Sequence, residues 1–194
     1  LFRLMQGTFG AKQSEIDALT GGSINAWLDA QMALPASSHR TKAVAESNYN
    51  PVVFEAGSGL PAVFPFQRQA AWFDIALNNP DQLRQRVAFA LSQILGVSDN
   101  SLGGQQYTEG RANEHDRLVN QAFGSFRTLL EQVTLHPIMG TYLSSLRNAK
   151  ADPVAGTNPD ENYAREIMQL FTIGLVQLQP DGTLKLDAQG LPIP

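Results

Sequence analysis

The chain has 194 residues, enough for one domain with a sizeable core or for the first part of something larger. Charged residues make up only 16% and the 14 Lys and Arg are scattered, so at a formal net charge of -4 neither nucleic acid nor an anionic membrane surface is implied as a partner. The absence of cysteine excludes disulfides, thiolate metal sites and cysteine nucleophiles, and no apolar run approaches the roughly 20 residues that span a bilayer.

The first residues, LFRLMQGTFG, already carry helical spacing, and the last, LPIP, close no element. Both ends therefore read as cuts in a longer chain. Ile16, Leu19, Ile24, Trp27, Leu28, Met32 and Leu34 predict two short amphipathic helices separated at TGGS. From 35 to 65, Ser, Asn, Gly and Pro dissolve the pattern and a long surface loop is expected. RQAAWFDIALNN is then helical up to Pro80. The next helix is expected at once, with Asn79 as N-cap, Pro80 in first position and Leu83, Val87, Ala90, Leu91 and Ile94 as its buried stripe. A second loop covers 98–112. EHDRLVNQAF, SFRTLLEQVTL and the run after Pro137 return to helical spacing, and ADPVAGTNPDE is a third loop. A closing helix is expected from about Pro159 to Gly174, followed by a small hairpin through LVQL, PDG and TLKL. The sum is a single, mainly α domain over 1–194. It is expected to be a multi-helix orthogonal bundle with long loops and one small C-terminal β-hairpin.

The closing helix concentrates charge. Asn158, Pro159 and Glu161 fit an N-cap, a first-turn proline and a third-position acid, and the helix dipole favours Asp160 and Glu161 there. At about 100° per residue, Tyr163, Ile167, Leu170 and Gly174 form the buried stripe, while Glu161 and Arg165 fall opposite it as an i,i+4 pair. Glu166 lies on the shoulder of the stripe, where a carboxylate needs a partner or a shifted pKa. Arg86, on the shoulder of the Asn79 helix, is a candidate partner, and Arg84 is a second. The pair reads either as a structural bridge between helices or as a substrate-facing group.

DENYAREIMQLFTIGLVQLQPDGT, with DQLRQRVAFALSQILGVSD, AFGSFRTLLEQVTLHPIMGTYLSSLRNAKAD and TFGAKQSEI before it, resembles the bacterial domain-of-unknown-function family 1800. The resemblance covers most of the chain outside the loops. It implies a helical, exported bacterial protein, secreted or periplasmic, whose remaining part follows Pro194, and it brings no activity with it. Many relatives carry Phe-Trp-His-x-His-Phe on the second helix, where this chain reads Ala90, Leu91, Ser92, Gln93, Ile94 and Leu95. Chemistry resting on those histidines is thus in doubt for this chain.

His39 beside Arg40 is expected in solvent, and His136 before Pro137 is expected to cap a helix end or to serve acid-base chemistry. Glu114, His115 and Asp116 fan over about 200° on a helix and converge on one ligand only if the segment is loop, with Glu109 then joining. No nucleophile elbow, phosphate loop, dinucleotide fingerprint or His-Glu-x-x-His occurs, so no cofactor and no metal is expected. The functional expectation is an envelope-associated interaction or scaffold module, its partner a protein at the cell envelope or the remainder of its own chain. The alternative is a hydrolase using Glu166, Arg86, Glu161, Arg165 and His136.

Overall fold

The computed structural model describes residues 2–49, 62–99, 102 and 107–194. They fall into two compact units, Leu1–Met139 and Gly140–Pro194. The described chain as a whole is mainly helical, with most of the helix in the first unit.

The first unit holds α1 (Phe2–Gly7), α2 (Gln13–Thr20), α3 (Ile24–Ala33), α4 (His39–Tyr49), α5 (Pro65–Asn78), α6 (Gln82–Ser92), α7 (Thr108–Asn120), α8 (Phe126–Thr134) and the start of α9 (Pro137–Tyr142). Its centre is α7, which packs against α4, α5, α6 and α8. The α4–α5–α7 contact is built from Ala43, Val63, Ala71 and Ala112, with Val44 at its edge. Side chains this small let helix backbones approach closely, so the polar groups on the same faces come within hydrogen-bond reach. Leu118, Val119, Leu129, Val133 and Met139 fill the core beneath α7 and α8. Gly7 is needed where it stands, because a Cβ there would lie 3.1 Å from the Trp27 ring of α3.

Several expectations for this unit are corrected. The segment 35–65, read as loop, contains α4 over His39–Tyr49, and residues 50–61 lie outside the described residues. The loop expected over 98–112 ends earlier, because α7 begins at Thr108. Helix α6 starts at Gln82 with Asp81 in the cap position, rather than at Asn79. Its buried face also differs from the apolar stripe: Gln82, Gln85 and Ala88 are buried, whereas Ala90 and Ile94 are exposed. The reason is satisfaction of the amides. Gln82 donates to the carbonyls of Ile75 and Asn79 at 3.3 and 2.7 Å and accepts from Phe9 N–H at 3.3 Å. A fully hydrogen-bonded amide can be buried where an unpartnered one cannot.

The second unit begins with the remainder of α9 and contains α10 (Asn162–Met168), which runs into a π-helical turn over Gln169–Ile173. The helix starts later than expected, with Glu161 in the cap position and Asp160 Oδ1 accepting from the Asn162 N–H at 2.8 Å. Gly174 closes the π turn by donating to the carbonyl of Gln169 at 2.8 Å, and its φ of 75° is open to glycine at little cost. Behind it, the expected hairpin is reduced to isolated antiparallel bridges, Leu178 with Leu184 and Leu186 with Pro192. Pro180, Pro192 and two Asx turns, in which Asp181 accepts from Thr183 and Asp187 from Gln189, break the run before a continuous ladder forms.

Candidate functional site

The polar centre of the first unit is a hydrogen-bonded chain running through α4, α6 and α7. Ser37 and Ser38, just before α4, are held between two carboxylates. Asp81, fully buried, accepts from Ser37 N–H at 2.9 Å, from Ser37 Oγ at 2.6 Å and from Gln85 Nε2 at 3.0 Å. Asp116 of α7 accepts from Ser38 Oγ and the His39 N–H, both at 2.6 Å, and from the Arg40 N–H at 3.2 Å. A side chain from one helix thus caps the N-terminus of another, where the helix dipole also favours negative charge.

His39 is buried rather than solvated, which corrects the expectation from its polar surroundings in the chain. Its Nε2 lies 2.8 Å from Gln85 Oε1, and Gln85 Nε2 already donates to Asp81 and to the Ser37 carbonyl. The amide oxygen is therefore the acceptor and the His39 proton sits on Nε2. The His39 ring meets the His115 ring edge-on at 4.4 Å between centroids. Burial lowers the pKa of both, that of His115 to about 3, and the His115 Nε2 has no partner among the described residues. Burial also raises the Glu114 carboxyl to about 7 against the pull of Arg68, and Glu114 Oε1 is likewise without a partner among them. Arg68 and Arg111 both pair with Asp99, the Arg111 contact at 2.8 Å.

Because α7 is a regular helix, Glu114, His115 and Asp116 fan around it rather than converging on one point, although His115 and Asp116 both meet His39. Among the described residues no group of three or more His, Asp or Glu side chains is placed to hold a metal ion.

On the outer side of α7 an open cleft of about 680 Å³ lies within the first unit. It is lined by Arg40 of α4, by Tyr107, Glu109, Asn113 and Arg117 of and just before α7, and by Gln132, Leu135, His136, Pro137 and Ile138. Arg40 and Glu109 pair across it at 2.7 Å. His136 accepts from the Ile138 N–H at Nδ1, 3.3 Å away, so its proton is on Nε2, which donates to Asn113 Oδ1 at 3.1 Å. The ring caps the start of α9 with both nitrogens engaged, and burial and Arg117 lower its pKa. Arg40 and Gln132 gave no signal in the sequence, and Glu109 stood out only beside Glu114, His115 and Asp116, since the three residues come from separate helices.

The other candidate residues are distributed between the two units. Arg86 stands in the first, its guanidinium carbon 5.7 Å from the Phe9 ring and 5.4 Å from the Phe89 ring, both part of an aromatic cluster with Trp72. This is cation–π range. Arg84 donates to the carbonyls of Met32 and Leu34 at 3.1 and 3.3 Å and lies 4.7 Å from the Phe123 ring. In the second unit Glu161 and Arg165 form their i,i+4 pair at 2.8 Å, both largely exposed, and Glu166 is half-buried.

The π turn changes which side chains α10 buries. Each i→i+5 bond adds a residue to the turn, so the phase after Met168 lags by one. Phe171 is buried, while Leu170 and Ile173, expected in or beside the stripe, are 64% and 83% exposed. Met168, Leu175, Leu178, Leu184, Leu186 and Leu191 are also exposed.

Residues 3–184 match the family model described as a protein of unknown function, DUF1800. The chain belongs to this family. Comparison with curated proteins and with solved structures gave no match. For a DUF1800 member the function must accordingly be argued from the features above: the buried carboxylate–histidine chain, the cleft beside α7 and the apolar surface after the π turn. No helix among the described residues of this DUF1800 chain is long and apolar enough to cross a membrane.

Proposed function

We propose that this DUF1800 chain is an exported bacterial module that binds a partner protein at the cell envelope through the apolar surface of its second unit. The observation that carries the reading is the π turn, which buries Phe171 and presents Leu170 and Ile173 outward beside Leu175. Contiguous exposed apolar surface of this kind marks interaction sites. With six acidic and four basic residues between 140 and 194, that unit is close to neutral, which suits a protein surface better than nucleic acid or anionic lipid. The low charge of the whole chain agrees with export.

The test places a photo-crosslinking residue at position 173 or, as control, at the 98% exposed Val154, in cells that make the protein. A discrete adduct in the envelope fraction from position 173, absent from 154 and abolished by Leu170→Asp, is the expected result. Equal labelling from both positions, or protein retained in the cytoplasm, overturns the reading.

A second reading, a hydrolase acting through Glu166 with Glu161 or Arg165 of the same helical segment, has one observation in its favour: Glu166 is half-buried and enters no ion pair among the described residues. Under the module reading Glu166→Gln leaves thermal stability within about 1 kcal/mol of the parent and leaves the position-173 adduct intact. Loss of a hydrolytic activity without loss of stability would favour the enzyme.

A further inference from the structure

The cleft beside α7 carries a separate assignment. Glu109, Asn113 and Arg117 recur every four residues, about 40° apart around the helix, so they form one line along the cleft wall. At one end of that line Glu109 neutralises Arg40. At the other, Arg117 is exposed and enters no ion pair among the described residues. Among the described residues two guanidinium groups thus stand against one carboxylate in the cleft.

Between the ends the wall offers hydrogen-bonding groups with capacity to spare. The Asn113 carbonyl oxygen is occupied by His136, which turns the amide hydrogens toward other acceptors. Gln132 on the facing helix provides both a donor and an acceptor, and Tyr107 a hydroxyl. Ile138, 4% exposed, gives the same cleft an apolar floor, and Leu135, 74% exposed, an apolar rim. A lone Arg favours a monoanion, and the Glu109 carboxylate disfavours a dianion such as phosphate. Amides and a hydroxyl beside an apolar floor fit a molecule whose hydroxyls both donate and accept while its C–H face is apolar. The volume is within the range of small-ligand sites.

We infer that this cleft binds a small polyhydroxylated carboxylate of the sugar-acid class, with its carboxylate on Arg117 and its hydroxyls on Asn113, Gln132 and Tyr107. Calorimetric titration of the intact chain with glucuronate, glucose and inorganic phosphate tests it. Glucuronate should bind saturably and at least about tenfold more tightly than glucose, the loss expected when a charge-assisted hydrogen bond is absent. Arg117→Gln, at an exposed position in the last turn of α7, should erase that difference while leaving the circular dichroism unchanged. Gln132→Ala should weaken both sugars together. Equal affinity for glucose and glucuronate, tighter binding of phosphate, unchanged glucuronate affinity in Arg117→Gln, or no saturable binding would each overturn the assignment.

Discussion

Asp116→Ala will destabilise the first unit by about 3–4 kcal/mol. The carboxylate receives Ser38 Oγ and the backbone N–H groups of His39 and Arg40, at the start of a helix whose first residue is 3% exposed. Removing it leaves those donors facing a cavity, and buried donors without acceptors each cost about 1–3 kcal/mol. It also removes a negative charge from a helix N-terminus. Asp116→Asn keeps one acceptor oxygen, so it should lose about half as much. Urea unfolding of both variants measures this, and a loss below about 1 kcal/mol for Asp116→Ala would show that Ser38 alone holds α4 in place through its 3.0 Å bond from Thr41 N–H.

Stability will be greatest in mildly acidic solution and will fall in both directions, because the buried acid and the buried histidines titrate with opposite sign. Glu114 titrates at about 7 in the folded chain against an ordinary value of 4.5. Between those values the folded state keeps a proton that the unfolded state has released, so stability declines as pH rises from 4.5 through 7. At 1.36 kcal/mol per unit the decline amounts to about 3 kcal/mol. His115 moves the other way, from 6.5 to about 3, and the pKa of His39 is lowered too. Their neutral forms are favoured by folding, so that contribution is complete above 6.5 and is lost as pH falls toward 3. The two slopes offset each other between 4.5 and 6.5. Glu114→Gln isolates the acid: it should stabilise the chain by about 3 kcal/mol at pH 8 and by little at pH 4, since an amide carries no charge to desolvate. Parallel urea midpoints for parent and variant across that range would refute the argument.

Both effects arise from a polar core that the pattern of apolar residues conceals. On α6 the spacing of Leu83, Val87, Leu91 and Ile94 suggests one inward face, yet the buried residues of the helix are Gln82, Gln85 and Ala88. Hydrophobic periodicity assumes that burial follows apolarity. It fails where amides and carboxylates satisfy one another across helices, because the partners are dozens of residues apart: Ser37 with Asp81, Ser38 with Asp116, His39 with Gln85. The π turn conceals itself for a related reason. Its extra residue shifts the phase of everything after Met168, and nothing local in QLFTIG announces the shift except the glycine that closes it.

The sequence by itself determined the helical class, the positions of α2, α3, α5 and α8 to within a few residues, the Glu161–Arg165 pair and the family. Periodic apolar spacing, turn residues and i,i+4 charge are local, and local interactions suffice for them. The helical geometry of Glu114, His115 and Asp116 was likewise legible, and so was the helix-capping position of His136 before Pro137. Only the tertiary structure decided that His39 is buried, that Asp116 caps α4, that Arg40 meets Glu109 across a cleft, and that Leu170 and Ile173 face outward. Each of these depends on which helix lies beside which, and that is set by close approach at Ala43, Ala71 and Ala112, small residues whose importance appears only when another backbone is packed against them.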